Sequence, residues 1–483
     1  MGTFVAEKEP YYWCRYERLV NLARKGQPGQ EDSELGEPDQ TFEAVRDFLR
    51  RLHARGAHGY MYWNQNDCNP DLAAKYPRCR QTKNAEGDLW WVYSHKFVLM
   101  NPDPPNAWTQ HLLDQLDKIL TTYPELDGIF NDQVCYYNWD YSRQDGISMV
   151  DGVPVYNTRF SYIPIFQKIV PMLHAKGLVL WGNGGYTIDV SQYLDGVMAE
   201  GSLQQGKPWS QRRRGLERTR YLGLLGKPVC VLAGNRGPRD MERELKWTLV
   251  SGAQSRATYN RDPEVFRLMQ DYMPFFRLLR GRQWVLADRA VVAPADVEGC
   301  AFTNPRGQGV IVLVSWHTSR FDPTGEQQNC RVRVAFERDD SKAAYLASPD
   351  RPGRYRLRPS REGPGHNVVL PLHSSASVIV FESGGCHLSL EAADLVADGP
   401  KARATAVLDN LTAREVTGEL TIEAAGREHS APCTVRPGSS ATIDLDVDAP
   451  ATAGGEVPVR LRFRGEGTEL HEDCRVVFRL AAP

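Results

Sequence analysis

Two carboxylates carry the sharpest chemical signal in the chain. Asp132 follows the apolar run Gly128-Ile129-Phe130 and precedes a polar, aromatic stretch where a helix would ordinarily start. Glu200 directly follows Val197-Met198-Ala199, an awkward place for a core residue and for a helix cap alike. Two such groups are the minimum for cleaving a glycosidic bond. One carboxyl protonates the leaving oxygen and the other meets an oxocarbenium-like carbon. A lone Asp beside a strand is more often a turn former, and Asp127 in Leu126-Asp127-Gly128 reads as a tight entry turn.

The ends of the neighbouring apolar runs share this polar character. Trp63-Asn64-Gln65-Asn66-Asp67 ends one, Trp181-Gly182-Asn183 another, and Tyr259-Asn260-Arg261 a third. Sugars require this mixture, because hydroxyls take paired hydrogen bonds while the apolar ring face stacks on Trp or Tyr. Trp63, Asn64, Asp67, Trp181, Asn183, Tyr259 and Arg261 are therefore candidate substrate contacts by position, with core packing as the competing role for the tryptophans. The insertion from Cys135 to Gly146 is long, aromatic and polar. It adds Asp140 and Asp145 as candidates, the alternative being a packed excursion.

These residues need elements to position them. Phe42, Val45, Phe48, Leu49 and Leu52 recur at helical spacing after a possible cap at Asp39, and Gly59 to Trp63 then reads as a buried strand. A second helix presents Trp108, Leu112, Leu116 and Ile119 before the strand Gly128–Phe130. A third helical stretch, interrupted by Pro164 and Pro171, leads to Leu178–Trp181. Strands at 196–199, 228–232 and 256–259 follow, the last succeeded by a helix with Asp262 as cap and Pro263 in its first turn. Alternation of strand and helix demands parallel pairing with crossovers. No glycine-rich phosphate loop follows the first strand, which removes the main support for a nucleotide-binding sheet. The expected class is α/β, a (β/α)8-type TIM barrel whose active site lies at the C-terminal strand ends. Thr3–Tyr16 can supply a seventh strand but nothing supplies an eighth, so the barrel is expected to be incomplete at its N-terminus. If Asp132 ends strand four, Glu200 ends strand six.

After Gly281 helical periodicity gives way to alternating, β-rich runs such as Val310–Val314, Val368–Leu372 and Val378–Phe381. A break at Ser383-Gly384-Gly385 opens a last segment with Leu420–Ile422 and Val459–Phe463 in immunoglobulin-like style. The expected domains are a catalytic barrel over 1–281, an antiparallel β-sandwich over 282–384 and an immunoglobulin-like β domain over 385–483.

Bulk properties exclude several partners. The 483 residues are 41% hydrophobic and 24% charged, with a formal net charge of −2. Nothing in that balance argues for nucleic acid or an acidic membrane surface, and Arg212-Arg213-Arg214 reads as a solvated helix face. The ten cysteines are scattered singly, without zinc spacing. They fit free thiols in a reducing compartment. No signal-peptide pattern opens the chain and no apolar run could span a bilayer. A cytoplasmic chain with no cofactor, no metal and a glycoside or oligosaccharide partner is the expectation.

The same residues resemble known glycosidases. Asn101-Pro102-Asp103-Pro104, a helix, and then Tyr123 to Asp132 resemble the third-to-fourth strand passage of α-glycosidase barrels. Clan D enzymes such as α-galactosidases, and the α-glucosidase family 31, are similar there. Asn183-Gly184-Gly185 with Val197-Met198-Ala199-Glu200 is similar to the endo-α-1,4-polygalactosaminidase family 114. Family 31 places Asp-x-Asn-Glu after the strand, whereas here Asn131 precedes Asp132 and Gln133 follows it. Clan D enzymes also use Asp as the acid where this chain has Glu200. The resemblance therefore reaches the superfamily and not one family. It implies an α-linked substrate and a retaining mechanism, with Asp132 as nucleophile and Glu200 as acid/base. Glu200 is then expected to have a raised pKa, and Asp132 to stay ionised beside donors such as Asn131 or Asn183. A non-catalytic glycan-binding protein on a degenerate barrel is the rival reading.

Overall fold

The computed structural model describes residues 2–5, 42–92, 95, 97–134, 138–184, 187–200, 220–221, 223, 226–233, 237–257, 262–287, 289–322, 327–335, 343–362, 365–392, 394–397, 401–448, 455–465 and 467–480. Seven strands form one sheet in sequential order. They are β1 (Gly2–Val5), β2 (His58–Trp63), β3 (Gly128–Asn131), β4 (Val179–Asn183), β5 (Gly196–Glu200), β6 (Val229–Ala233) and β7 (Gln254–Ala257). From β1 to β5 the neighbours are parallel: Gly2 lies opposite His58, Tyr60 and Val179 flank Gly128, and Trp181 faces Gly196. β1 overlaps the start of the stretch expected to add a seventh strand. Among the described residues no pairing joins β1 to β7.

Parallel neighbours require crossover connections, and helices supply them. α1 (Phe42–His53), α2 (Ala107–Thr122), α3 (Tyr162–His174) and α4 (Pro238–Val250) each lie between consecutive strands, and α5 (Pro263–Leu278) follows β7. α2 starts at Asn106, whose side chain accepts from the Thr109 N–H at 2.7 Å, and it buries Trp108, Leu112, Leu116 and Ile119. α5 starts as its sequence suggests, with Asp262 accepting from the Glu264 N–H at 2.8 Å and Pro263 in the first turn. The expected interruption of α3 is not present: one helix runs through both prolines. Pro164 lies in the first turn, where no N–H is needed, and Pro171 removes a single bond from a helix whose buried Ile165, Phe166, Ile169 and Leu173 hold it in place. Asp39 lies outside the described residues.

The sheet has two distinct faces. Gly59 meets Leu49 and Leu52 of α1, so alternation turns Gly59, Met61 and Trp63 toward the helices. Tyr60 and Tyr62 take the opposite, inner face, where their rings approach Trp181 and Phe130 at 6.2 and 5.9 Å.

Beyond Leu278 every described element is a strand, gathered into sheets of nine, four and five. Gly309–Ser315 is buried along its whole length. The nine-stranded sheet continues past position 384 through a single parallel pair, Tyr355 with Leu390, and one apolar cluster extends from Val297 to Val476.

By compactness the chain forms two units, 1–200 with 227–230, and 201–226 with 231–483. The second therefore includes α4 and α5. A buried polar network explains the grouping of α4. Lys246 donates to the carbonyls of Ser315 and Thr318 at 2.8 and 2.7 Å. Glu242 accepts from Ser319, Ser375 and the Arg320 N–H. Among the described residues no helix is long and apolar enough to cross a membrane, and Cys79, Cys300, Cys330, Cys386, Cys433 and Cys474 are free thiols.

Candidate active site

β3 ends at Asn131 and the chain then turns sharply, with Gln133 in the left-handed region at φ +58°. The turn is held on both sides. The Asp132 N–H donates to the Trp63 carbonyl of β2 at 2.8 Å, and the Val134 N–H to the Asn183 carbonyl of β4 at 2.9 Å. Below them Tyr162 donates its hydroxyl to the Gln133 carbonyl at 2.9 Å, and Asn66 donates to that hydroxyl at 2.7 Å. This bracing fixes where the Asp132 side chain points.

Asp132 lies on the inner face and is 9% exposed. Its Oδ2 accepts from the Tyr62 hydroxyl, and its Oδ1 accepts from the Asn183 amide at 2.6 Å. One donor comes from each flanking strand, an arrangement that favours the ionised carboxylate. Burial, and then the facing charge of Asp132, hold the Tyr62 hydroxyl far above its ordinary value. Tyr62 therefore stays a donor. Of the two asparagines expected to support Asp132, Asn183 does so. Asn131 alternates to the helix side, and its amide has no partner among the described residues.

Asp67 is a second buried carboxyl beside this one, 2% exposed. The Asn64 side chain accepts from the N–H groups of Asn66 and Asp67 at 2.9 and 3.0 Å, which folds the loop after β2 back over the strand ends. Burial pushes the Asp67 carboxyl up to about 7. The Asp132 charge adds to the shift, while bonds from the Gln133 and Asn64 side chains oppose it.

The other candidates take varied places. Trp63 is fully buried on the helix-facing side, and Trp181 packs over Gly196, two residues below Asn183 on the inner face. Both positions serve packing. Asp140 Oδ1 accepts from the Thr82 N–H at 3.0 Å and from the Ser142 hydroxyl at 2.7 Å. Asp145 caps the neighbouring hairpin. Against a burial effect that would raise it, the N–H groups of Asn157, Ile147 and Ser148 hold its carboxyl down to about 2. These two carboxylates close the insertion. Tyr259, Arg261 and the Glu200 side chain lie outside the described residues; the Glu200 backbone ends β5. Among the described residues no cluster could hold a metal ion.

Tyr62 and Gln133 were not foreseen. A half-buried tyrosine inside Gly59–Trp63 reads as core, and alternation from the helix-facing Gly59 is the signal that would have turned Tyr62 toward Asp132.

No family model matches this sequence, and no curated protein does. Solved structures do. A cycloisomaltooligosaccharide glucanotransferase from a Paenibacillus species, solved with cycloisomaltoheptaose, superposes with TM-score 0.55 at 11% identity, covering 79% of this chain and 85% of that one. The α-L-fucosidase isoenzyme 2 of Paenibacillus thiaminolyticus gives TM-score 0.51 at 11% identity, with coverages of 71% and 90%. What this chain shares with them is the fold.

Proposed function

We propose that this protein is a retaining glycoside hydrolase acting on an α-linked sugar. The observation that carries the reading is the Asp132 carboxylate, set just past a parallel strand and held by donors from both neighbouring strands. A sequential parallel order with crossovers of the usual hand puts every helix on one face. Closing the sheet into a barrel that lacks one strand then buries the inner face with Tyr60, Tyr62, Phe130 and Trp181. The inner C-terminal rim becomes the substrate site, with Asp67, Asn64 and Asn183 as polar contacts. The β-rich remainder, divided near 281 and 384, serves as supporting domains, and the protein acts in the cytoplasm.

In the first step Asp132 attacks the anomeric carbon, the bond to the leaving oxygen breaks, and Glu200 gives that oxygen its proton. In the second, Glu200 takes a proton from water as the water displaces Asp132. β3 and β5 are separated only by β4. Asp132 is level with Asn183 and Met198, and Glu200 stands two residues further along. Two strand spacings of about 4.8 Å and two rises of about 3.3 Å put the two Cα positions roughly 12 Å apart. Side chains reaching inward from such positions can close to the roughly 5.5 Å of a retaining pair. The test is proton NMR of the first-formed anomer released from an aryl glycoside. Retention supports the reading, inversion makes Asp132 a base, and no turnover on any α- or β-glycoside favours the glycan-binding alternative.

A further inference from the structure

A short motif occurs twice in the first unit. Leu52-His53-Ala54-Arg55-Gly56 returns as Leu173-His174-Ala175-Lys176-Gly177, and Leu126-Asp127-Gly128-Ile129 returns as Leu194-Asp195-Gly196-Val197. The structures of the two copies match, except that Asp127 Oδ1 also bonds His58 Nδ1 at 2.9 Å where the second copy has Val179. Both histidines end a helix that stops at a left-handed glycine, Gly56 at φ +67° and Gly177 at φ +72°. His53 Nε2 lies 2.8 Å from Asp127 Oδ2, and His174 Nε2 lies 2.9 Å from Asp195 Oδ2. The same carboxylate oxygens accept backbone N–H groups, from Gly59 at 2.7 Å and from Leu180 at 2.8 Å. Each aspartate N–H donates back to the carbonyl of that same residue, at 3.0 and 2.8 Å. The strand register matches too, with Tyr60 opposite Gly128 and Trp181 opposite Gly196.

Continuing both copies upward leads to the site. Five residues after its clamp aspartate, the first copy has Asp132 and the second has Glu200. Tyr62 and Asn183 also correspond, each nine residues after its histidine, and both donate to Asp132. Resting on the hydrolase reading above, we propose that Asp127 and Asp195 are matched positioning residues, each fixing the base of the strand that presents one catalytic carboxylate, and that Glu200 is the structural counterpart of Asp132. The physical need is clear, because a strand that slips by one residue turns every side chain to the opposite face. A reciprocal backbone pair with a side-chain clamp blocks that slip at the foot of β3 and of β5.

The proposal gives each clamp its own kinetic signature. Glycosides of one sugar are compared, one with a 4-nitrophenyl leaving group and one with a methyl group. Asp195→Asn displaces the acid, so kcat/KM for the methyl glycoside should fall about 10²-fold while kcat/KM for the nitrophenyl substrate, whose glycosylation step needs little protonation, changes only a few-fold. Asp127→Asn displaces the nucleophile, so both substrates should fall together. If either variant does not fold, His174→Gln and His53→Gln weaken the same clamps and should show the same split. Equal losses on both substrates from both clamps, or no loss from either, overturn the proposal. Wild-type protein inert on every glycoside instead removes the hydrolase reading itself, and this inference with it.

Discussion

Asp67→Asn offers a test that needs no substrate. The Asp67 carboxyl titrates near 7 in the folded chain, against an ordinary 3.8, chiefly because it is buried. The gap is roughly 3 pH units, or about 4 kcal/mol of preference for the protonated form. Between these two values the folded chain holds a proton that the unfolded chain has released. Stability contributed by this group is thus complete below about pH 4 and is lost as the pH rises through about 7. Asparagine keeps the shape and one carbonyl acceptor for the Gln133 and Asn64 side chains, but never ionises. The variant should match the wild type near pH 4 and gain on it steadily, reaching about 4 kcal/mol above pH 7. Urea unfolding of both proteins at half-unit intervals from pH 4 to 8 measures this directly. A difference that stays constant across the series would refute the reasoning, because the charge of Asp67 would then not be disfavoured by folding.

Two further expectations follow from the same geometry. Tyr62→Phe removes a donor worth roughly 1.5–3 kcal/mol to a charged acceptor. The acid limb of the kcat/KM profile should therefore move up by about 1–2 pH units, and an unmoved limb would show that Tyr62 does not stabilise the Asp132 anion. Gly196→Ala places a methyl group 2.5 Å from the Trp181 ring, so stability in urea should fall by about 1–3 kcal/mol; an unchanged midpoint would mean that the indole is not packed there.

Much of the framework was legible because local signals and tertiary contacts agree. Helical spacing located α1 and α2, the Asp262-Pro263 pair located the start of α5, and runs such as Val310–Val314 marked buried strands. The site was legible only in outline. The apolar run before Asp132 located it just past the end of β3, whereas the bonds by which Asp140 and Asp145 close turns in the insertion include those from Thr82 and Asn157, too far along the chain for spacing to show. The unusual state of Asp67 depends on a loop that folds back over the strand ends and removes it from water, which no residue spacing encodes. The doubled motif stayed hidden for a different reason. His53 and Asp127 are 74 residues apart, whereas His174 and Asp195 are separated by 21, because the segment between β2 and β3, which carries α2, is far longer than the one between β4 and β5. The continuation of the nine-stranded sheet past position 384 depends on one residue pair, Tyr355 with Leu390, and the sequence changes texture there without signalling it.

The central claim is that Asp132 forms a covalent bond to the sugar. Incubation with the 2-deoxy-2-fluoro glycosyl fluoride of whichever sugar the aryl panel identifies, followed by peptide mass spectrometry, tests it most directly. The account predicts stoichiometric inactivation with the added mass on Asp132. Label on Glu200 or Asp67, or continued turnover with no labelled peptide, would contradict it.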